Sequence, residues 1–317
     1  MNQRFPSEVK NYKTEVKLKI ADILICLQSE FELAVLKGEA EKKLHSERYS
    51  NFLYSGSEKP HIIVEINIVD CLPEISGAKD IFITYHPDDN KENWRLQKKD
   101  DYYIYKCPLE EKKQTILING TFDKATAYLS PWKADGPTWK YTDIIYDFLQ
   151  VFLINYLALN NQGIFTHSVG VREKDGGGLL FAGESGAGKS TIARLWHRNS
   201  NATVLNDDRI IVRRKDGRFF IYGSPWHGEF GDYLESHFEA ATLEKLFFLY
   251  HAPENKAESI SAKTAFNLLY PALFPTFWNK ACLENTVSFC QDLVNDTPCF
   301  KLGFLNSARV IEFVRKI

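Results

Sequence analysis

The chain has 317 residues, of which 44% are hydrophobic and 25% charged, as is typical of a folded globular protein. Lys and Arg number 39 and Asp and Glu 41, so the formal net charge is −2. This balance excludes a global positive field able to hold a nucleic acid or an anionic membrane, and any polyanion must be met by a local site. The length predicts two domains, at about 150 residues each.

The six cysteines are scattered without a CxxC pair or a zinc-ligand spacing, which indicates free thiols in a reducing compartment. The N-terminal segment has no apolar stretch of the kind that a secretory signal needs. The most apolar stretch, Ile144–Leu159, is shorter than the ~20 residues that a membrane span requires and contains Asp147. We therefore expect a cytoplasmic protein, with a buried helix at this stretch.

Residues 1–135 are rich in short runs in which hydrophobic and polar residues alternate, a pattern typical of strands and hairpins. A Gly/Pro/Asp cluster at Trp132–Trp139 predicts a domain boundary. We expect a smaller, β-rich N-terminal domain of unknown role over residues 1–135 and a second domain over residues 136–317. The alternating runs are Glu15–Leu27, His61–Val69, Asp80–Tyr85, Tyr102–Lys106 and Gln114–Asn119.

Strand and helix patterns are mixed in the second domain, so the predicted class is α/β, or α+β overall. Two helices are predicted to finish the chain: Ala262–Leu273, capped by Ser261, and a helix whose buried face is marked by the spacing of Leu283, Val287, Cys290 and Val294. The other predicted elements are the strands Gly163–Val171, Gly178–Ala182, Ala202–Leu205 and Leu243–Tyr250, the hairpin Arg209–Arg213 with Arg218–Tyr222, and the helix Thr191–His197.

Residues Gly183–Ser190 (GESGAGKS) match the phosphate-binding pattern G-x-x-x-x-G-K-[ST], between a predicted strand and a predicted helix. In this pattern backbone N–H groups at the start of a helix wrap the phosphates, and glycines allow the close approach. The lysine reaches the β- and γ-phosphates and the last hydroxyl binds Mg²⁺. We therefore predict ATP with Mg²⁺ as the ligand. The predicted binding residues are Gly183, Glu184, Ser185, Gly186, Ala187, Gly188, Lys189, Ser190 and Thr191.

Two adjacent acids, Asp207 and Asp208, follow the next predicted strand. One carboxylate can serve the metal while the other accepts a proton from an incoming hydroxyl, which favours transfer to an acceptor over hydrolysis. A turn that uses Asn-Asp-Asp is the structural alternative. The run Ser224–Glu229 (SPWHGE) is either a substrate wall or a structural corner, and in the first case His227 and Glu229 are the candidate acceptor-side residues.

The order of His167, the strand before the loop, the loop itself and LNDD at 205–208 resembles the catalytic domain of bacterial HPr kinase/phosphorylase, a family distantly related to phosphoenolpyruvate carboxykinase. The resemblance covers residues 160–315 and implies a P-loop domain built on a mixed β-sheet. It implies that His167, Lys189 and the Asp207/Asp208 pair are catalytic. We assign Asp207 as the base and place Asp208 with Ser190 at Mg²⁺.

Three positions depart from the family. Glu184 replaces an aspartate, Ser168 replaces the glycine after the histidine, and Gly223–Glu229 stands where a glycine-rich signature is expected. That last segment is more similar to HPr-kinase-related proteins of peptide-modification cassettes. Members of the family form hexamers, so the resemblance leaves open whether this chain forms a homo-oligomer.

The resemblance implies an ATP-dependent kinase that phosphorylates a hydroxyl, that of a serine above all, in a protein, a peptide or a small molecule. Three alternatives remain at this point. They are an ATP-binding adaptor or regulatory subunit of a peptide-modification system, a phosphorolysing or carboxykinase-like metabolic enzyme, and a plain P-loop ATPase.

Overall fold

The computed structural model describes residues 12–31, 49–86, 89–109, 113–130, 141–228 and 239–317. This part of the chain is a mixed α/β protein with two large mixed β-sheets and few helices. Its residues divide into two compact units. The first contains 12–18, 23–31 and the described residues from 53 to 148, and the second contains 19–22, 49–52 and the described residues from 149 to 317. The predicted boundary at residues 135 and 136 lies outside the described residues.

The first sheet has eight strands in the order β1-β2-β3-β8-β7-β6-β5-β4. The β2–β3 and β3–β8 pairs are parallel, whereas the pairs from β8 through β4 are antiparallel. The strands are β1 (Thr14–Ile20), β2 (Ile23–Ser29), β3 (Ile62–Ile68), β4 (Lys79–Tyr85), β5 (Glu92–Lys99), β6 (Tyr102–Cys107), β7 (Gln114–Ile118) and β8 (Lys124–Leu129).

Three features of this sheet differ from the sequence prediction, and the first is that strand β8 was not among the predicted runs. The run Glu15–Leu27 is not one strand, because Ala21 and Asp22 turn the chain with φ of 48° and 61°. Positive φ at both central residues suits a two-residue hairpin, but neither residue is the glycine or asparagine that would signal it. The strand β5 was not predicted, because its side chains are mostly half-exposed and polar and show no clear alternation.

The second sheet is also eight-stranded, and helices are interspersed among its strands along the chain. The strands β9, β12, β13, β14 and β10 pair in a closed circuit, and β16 and β15 extend the sheet beyond β14. The strands are β9 (Gly163–Arg172), β10 (Gly177–Ala182), β11 (Thr203–Asn206), β12 (Arg209–Lys215), β13 (Arg218–Tyr222), β14 (Ala240–His251), β15 (Lys256–Ser259) and β16 (Cys299–Phe304). The helices are α1 (Tyr141–Leu159), α2 (Lys189–Asn199), α3 (Ala262–Leu269), α4 (Lys280–Asp296) and α5 (Arg309–Arg315), and Tyr270–Ala272 form a 3-10 turn.

The direction of three strands positions the candidate site. Strand β14 is parallel to β10 on one side and to β16 on the other, so Ala182, His251 and Phe304 end their strands at the same edge of the sheet. The loop after β10 therefore lies beside the ends of β14 and β16.

The helices agree with the sequence prediction in part. The buried helix at Ile144–Leu159 is confirmed as α1, and no helix in the described ranges is both long enough and apolar enough to cross a membrane. The prediction that two helices finish the chain is wrong, because β16 and α5 follow α4.

The buried face of α4 is rotated from the predicted one. It is formed by Cys282, Thr286, Phe289, Cys290, Leu293 and Val294. The predicted Cys290 and Val294 are therefore buried, while the predicted Leu283 and Val287 are half-buried at its margin. All six cysteines are free thiols, as predicted.

Candidate functional site

Residues 183–190, here called the glycine loop, connect β10 to α2. Gly186 and Gly188 have φ of 81° and 101°, a region that L-residues with side chains rarely adopt. A Cβ on Gly188 would lie 2.7 Å from the Phe304 ring, and one on Gly183 would lie 3.0 Å from the Ala187 Cβ. Both the conformation and the packing of the loop therefore require glycine.

The glycine loop ends at a helix N-terminus with free backbone donors. Gly188 is the N-cap of α2 and has no side chain that could occupy these donors. The first helical hydrogen bond is donated by Ile192 N–H to the Gly188 carbonyl (2.9 Å), so the N–H groups of residues 188–191 precede the helical ladder. The first turn of the helix contains no acidic residue. These donors and the positive end of the helix dipole suit a phosphate group.

Lys189 folds back over the glycine loop. Its buried ammonium donates to the carbonyls of Gly183 (2.9 Å) and Glu184 (3.0 Å). An ammonium has three donors, so one N–H is left for a phosphate oxygen. Burial lowers the pKa of Lys189 below its ordinary value, against the opposing influence of the Asp208 carboxylate.

His167, Asp208 and Arg209 form an ion-paired group beside the loop. Strand pairing places Arg209 opposite His167, and Ser168 opposite Ala182 at the end of β10. The His167 Nε2 lies 2.7 Å from one Asp208 oxygen, and the Arg209 guanidinium contacts the other. Because an ionised carboxylate only accepts, Nε2 carries the hydrogen of this bond. Burial raises the pKa of Asp208, but the contacts with His167 and Arg209 outweigh burial and hold the pKa below its ordinary value.

Asp207 lies in a different environment, although it is the next residue in the chain. It is 4% exposed, and its Oδ1 accepts a hydrogen bond from Gly228 N–H (3.0 Å). Burial, together with the neighbouring Asp208 charge, raises the pKa of Asp207 above its ordinary value. A Cβ on Gly228 would lie 3.1 Å from the Asp207 Oδ2, so glycine keeps this oxygen clear of a side chain. The two adjacent acids therefore have pKa values shifted in opposite directions.

Asn206 holds this arrangement together, although the sequence did not single it out as a site residue. Its amide nitrogen donates to the carbonyls of Ser224 (3.0 Å) and Trp226 (2.8 Å). Its amide oxygen accepts from the backbone N–H groups of Asp208 and Arg209, both at 2.8 Å. Asn206 therefore fixes both the turn that carries the acids and the segment that covers Asp207. An asparagine at a strand end is a common turn residue, which is the one signal that could have found it.

His251 is a second residue that sequence reasoning missed. It ends β14, and its Nε2 lies 2.7 Å from the Gly186 carbonyl of the glycine loop. A carbonyl oxygen only accepts, so the imidazole donates this bond. No local sequence signal indicates this contact, because it depends on the parallel pairing of β10 with β14.

A cavity of about 800 Å³ lies along this edge of the sheet. Its wall includes His167, residues 183–187 of the glycine loop, and residues of β14, β15, β16 and α3. Lys189, Asp207, Asp208 and His227 are not among its wall residues. His167 is therefore the member of the ion-paired group that faces the cavity, and its side chain is 45% exposed.

The structure brings most of the predicted site residues together. Asp207 lies close enough to both Asp208 and His227 for their charges to influence its pKa. Ser190 is exposed in the first turn of α2, and the Thr191 hydroxyl accepts from Arg194 at 3.5 Å. Glu229, predicted on the acceptor side, lies outside the described residues.

The donor set fits Mg²⁺ held together with phosphate. The described residues contain no group of three or more His, Cys, Asp or Glu side chains that could hold a metal ion. Mg²⁺ in nucleotide sites needs no such cage, since it is held by one or two protein oxygens, water and phosphates. Asp208 keeps unused lone pairs on its two oxygens, and Ser190 offers a hydroxyl.

Comparisons with known proteins give little beyond this geometry. No family model matches the sequence, and a search of curated proteins found no match. One solved structure with some similarity is the HPr(Ser) kinase/phosphatase from Coxiella burnetii, with 10% identity and a TM-score of 0.28 over 48% of this chain and 90% of that chain. This is a distant relation at most, and nothing about function follows from it.

Proposed function

We propose that this protein is an ATP-dependent kinase that transfers the γ-phosphoryl group to a hydroxyl acceptor, a serine above all. One observation carries the proposal. A glycine loop built for phosphate lies beside two adjacent acids, of which Asp207 has a raised pKa and Asp208 a lowered one. A carboxyl with a raised pKa, next to a carboxylate held by His167 and Arg209, suits proton removal from an acceptor hydroxyl.

Each residue has a role in this proposal. The N–H groups at the start of α2 and the Lys189 ammonium hold the phosphates. Ser190 and Asp208 would hold Mg²⁺, which neutralises charge on the phosphates when bound. Asp207 takes the proton of the acceptor hydroxyl while that oxygen bonds to the γ-phosphorus and the bond to the departing ADP breaks. His167, at the cavity wall, orients Asp208 through their 2.7 Å contact.

The test uses the full chain with Mg²⁺, ATP labelled at the γ-phosphate, and free serine and serine-containing peptides as acceptors. We expect Asp207→Asn to reduce transfer about 100-fold or more while MgATP binding stays within about threefold. Lys189→Met is expected to lose binding and transfer together. Asp216→Asn, at a hairpin turn with φ of 50°, is the control and should change neither. Undiminished transfer by Asp207→Asn would overturn the assignment of the base.

One observation favours a second candidate, an ATP-binding adaptor with little transfer activity. Asp207 is only 4% exposed, and one of its oxygens is already occupied by Gly228 N–H. A base in this position must be uncovered before it can reach a hydroxyl. Tight MgATP binding without transfer to any acceptor in the same assay would favour the adaptor.

A further inference from the structure

The cavity runs across the ends of several strands, with the glycine loop near its middle. The strand order across this edge is β9, β10, β14, β16, β15. His167 on β9 lies at one end, and Glu258 on β15 lies at the other. Four steps between neighbouring strands, at about 4.8 Å each, give a span of roughly 19 Å. The cavity therefore extends well beyond the space that a phosphate group needs.

The far end of this cavity carries two opposite charges. Glu258 and Lys301 are directly paired in the antiparallel β15–β16 ladder, so their side chains share one face of the sheet. Lys301 is in turn paired with Phe248 of β14, and all three residues line the cavity. In the described part of the chain neither charged side chain has an ion-pair or hydrogen-bond partner. Both are available to a ligand.

Apolar side chains lie in the same cavity wall as Glu258 and Lys301. Leu268 of α3 and Pro271 of the 3-10 turn belong to the same cavity wall as Phe248. Apolar walls with a few convergent polar groups are typical of small-molecule sites, in which the polar groups fix the orientation of the ligand. A flat heterocycle fits this combination, since its faces are apolar and its edge forms hydrogen bonds.

We infer that the β14–β16–β15 flank of the cavity binds the base of the nucleotide, and that Glu258 and Lys301 select adenine. This inference rests on the proposed function. The reacting phosphate must lie toward Lys189 and the His167–Asp208 pair, on the β9 side of the glycine loop. The nucleoside then lies on the opposite side of the loop, where these two charges stand.

The chemistry of the two side chains discriminates between purines. Adenine presents a 6-amino donor beside a ring-nitrogen acceptor. The Glu258 carboxylate accepts from the amino group, and the Lys301 ammonium donates to the ring nitrogen. A 6-oxo purine replaces the donor by an acceptor, which places an oxygen against the carboxylate. Leaving such a group unpaired is costly, so ATP should bind more tightly than ITP.

The test compares Mg²⁺ complexes of ATP, ITP and inorganic tripolyphosphate by calorimetry on the full chain. For the wild type we expect ATP to bind about tenfold or more tightly than ITP. Glu258→Gln and Lys301→Met should each weaken ATP binding about tenfold. The affinity of each variant for tripolyphosphate should stay within about twofold of the wild-type value. Glu258→Gln should also reduce the preference for ATP over ITP. The matched controls are Lys280→Met and Glu284→Gln, an exposed pair on α4 at 3.6 Å, and neither should affect any of the three ligands.

The two proposals fail in different ways. Binding of ATP and tripolyphosphate by the wild type, with ATP binding unchanged in both β15–β16 variants, would overturn the base site and leave the kinase proposal standing. Equal or tighter binding of ITP would also overturn the selection of adenine. If the wild type binds neither ATP nor tripolyphosphate, both proposals are wrong.

Discussion

Each of the two sheets contains an arginine paired with carboxylates, and the two groups differ in where they lie. Arg95 in the first sheet contacts Glu92 of its own strand and Asp80 of the neighbouring strand. Arg209 in the second sheet contacts Asp208, whose other oxygen is taken by His167. The first group lies on a sheet surface. The second lies at the edge where β10 passes into the glycine loop.

This difference in position separates a structural ion pair from a candidate site. The Arg95 group is satisfied by its own partners, and its contact with Asp80 is an exposed pair of a kind that contributes only about 0.2–1 kcal/mol. At the edge of the second sheet, the charges stand beside helix N–H groups that precede the hydrogen-bond ladder of α2. These groups require a ligand or water. The same residue types therefore only pair with one another at one sheet, whereas at the other they lie beside backbone donors that suit a ligand.

The largest expected effect comes from replacing a glycine with positive φ in each unit. Gly188→Ala should lose MgATP binding by about 100-fold or more, because its Cβ would lie 2.7 Å from the Phe304 ring and displace the loop. Gly77→Ala is the matched variant, with φ of 77° and nothing within 4 Å of its Cβ. Both variants place an alanine at positive φ, which costs about 1–3 kcal/mol. Urea unfolding and calorimetry measure the two effects.

The pair of glycines separates strain from site chemistry. Gly77→Ala should unfold at lower urea concentration and bind MgATP as the wild type does. If both variants lose MgATP binding, or if neither does, the glycine loop has no specific role in binding.

An intermediate effect is expected from removing one carboxylate of each ion-paired group. Asp208→Asn should reduce transfer more than tenfold and destabilise the fold by about 1–3 kcal/mol, because His167 and Arg209 lose their shared partner. Asp80→Asn should cost less than about 1 kcal/mol and leave transfer unchanged, since Arg95 keeps Glu92. Transfer assays and urea unfolding at pH 7 give both numbers.

The pH dependence of stability sharpens this comparison. The folded pKa of Asp208 lies below its ordinary value of 3.8, so its stabilisation is fully present above that pH and is lost as the pH falls through the folded pKa. The wild type should therefore lose more stability than Asp208→Asn as the pH falls below 3.8. Asp207 has the opposite sign, because its raised pKa favours the folded state at low pH and this contribution is lost as the pH rises through the folded pKa. Parallel curves for wild type and Asp208→Asn would contradict the ion-paired assignment.

The features that the sequence predicts correctly are those formed by residues that are close together in the chain. The glycine loop can be predicted, because its glycines and lysine serve one turn between a strand and a helix. The buried helix α1 can be predicted for the same reason, since its apolar residues are contiguous. The adjacency of Asp207 and Asp208 in the sequence indicates that they act as a pair. It does not indicate that their pKa values shift in opposite directions. The raised pKa of Asp207 comes first from its burial in the fold, and the lowered pKa of Asp208 depends on His167, which lies 41 positions away in the chain.

Other features depend on contacts that no local pattern records. The hairpin at Ala21 and Asp22 lacks the glycine that usually marks a two-residue turn with positive φ. Strand β16 was not predicted. It lies between β14 and β15 in the sheet, and nothing in its own sequence indicates that it pairs with these two strands. Glu258 and Lys301 become neighbours only through this pairing.

The smallest expected effect concerns two histidines that each contact a backbone group. The His251 Nε2 donates to the Gly186 carbonyl (2.7 Å), whereas the His61 Nδ1 in the first unit accepts from Leu24 N–H (3.0 Å). We assign His251 as a positioning residue, because Gly186 is a positive-φ residue of the glycine loop. His251→Phe should weaken binding of both MgATP and tripolyphosphate about five- to tenfold, the value of one hydrogen bond, and His251→Gln should restore most of it. His61→Phe should leave both affinities unchanged. A loss confined to MgATP would instead place His251 against the nucleoside, since tripolyphosphate has none, and would overturn its role in positioning the loop.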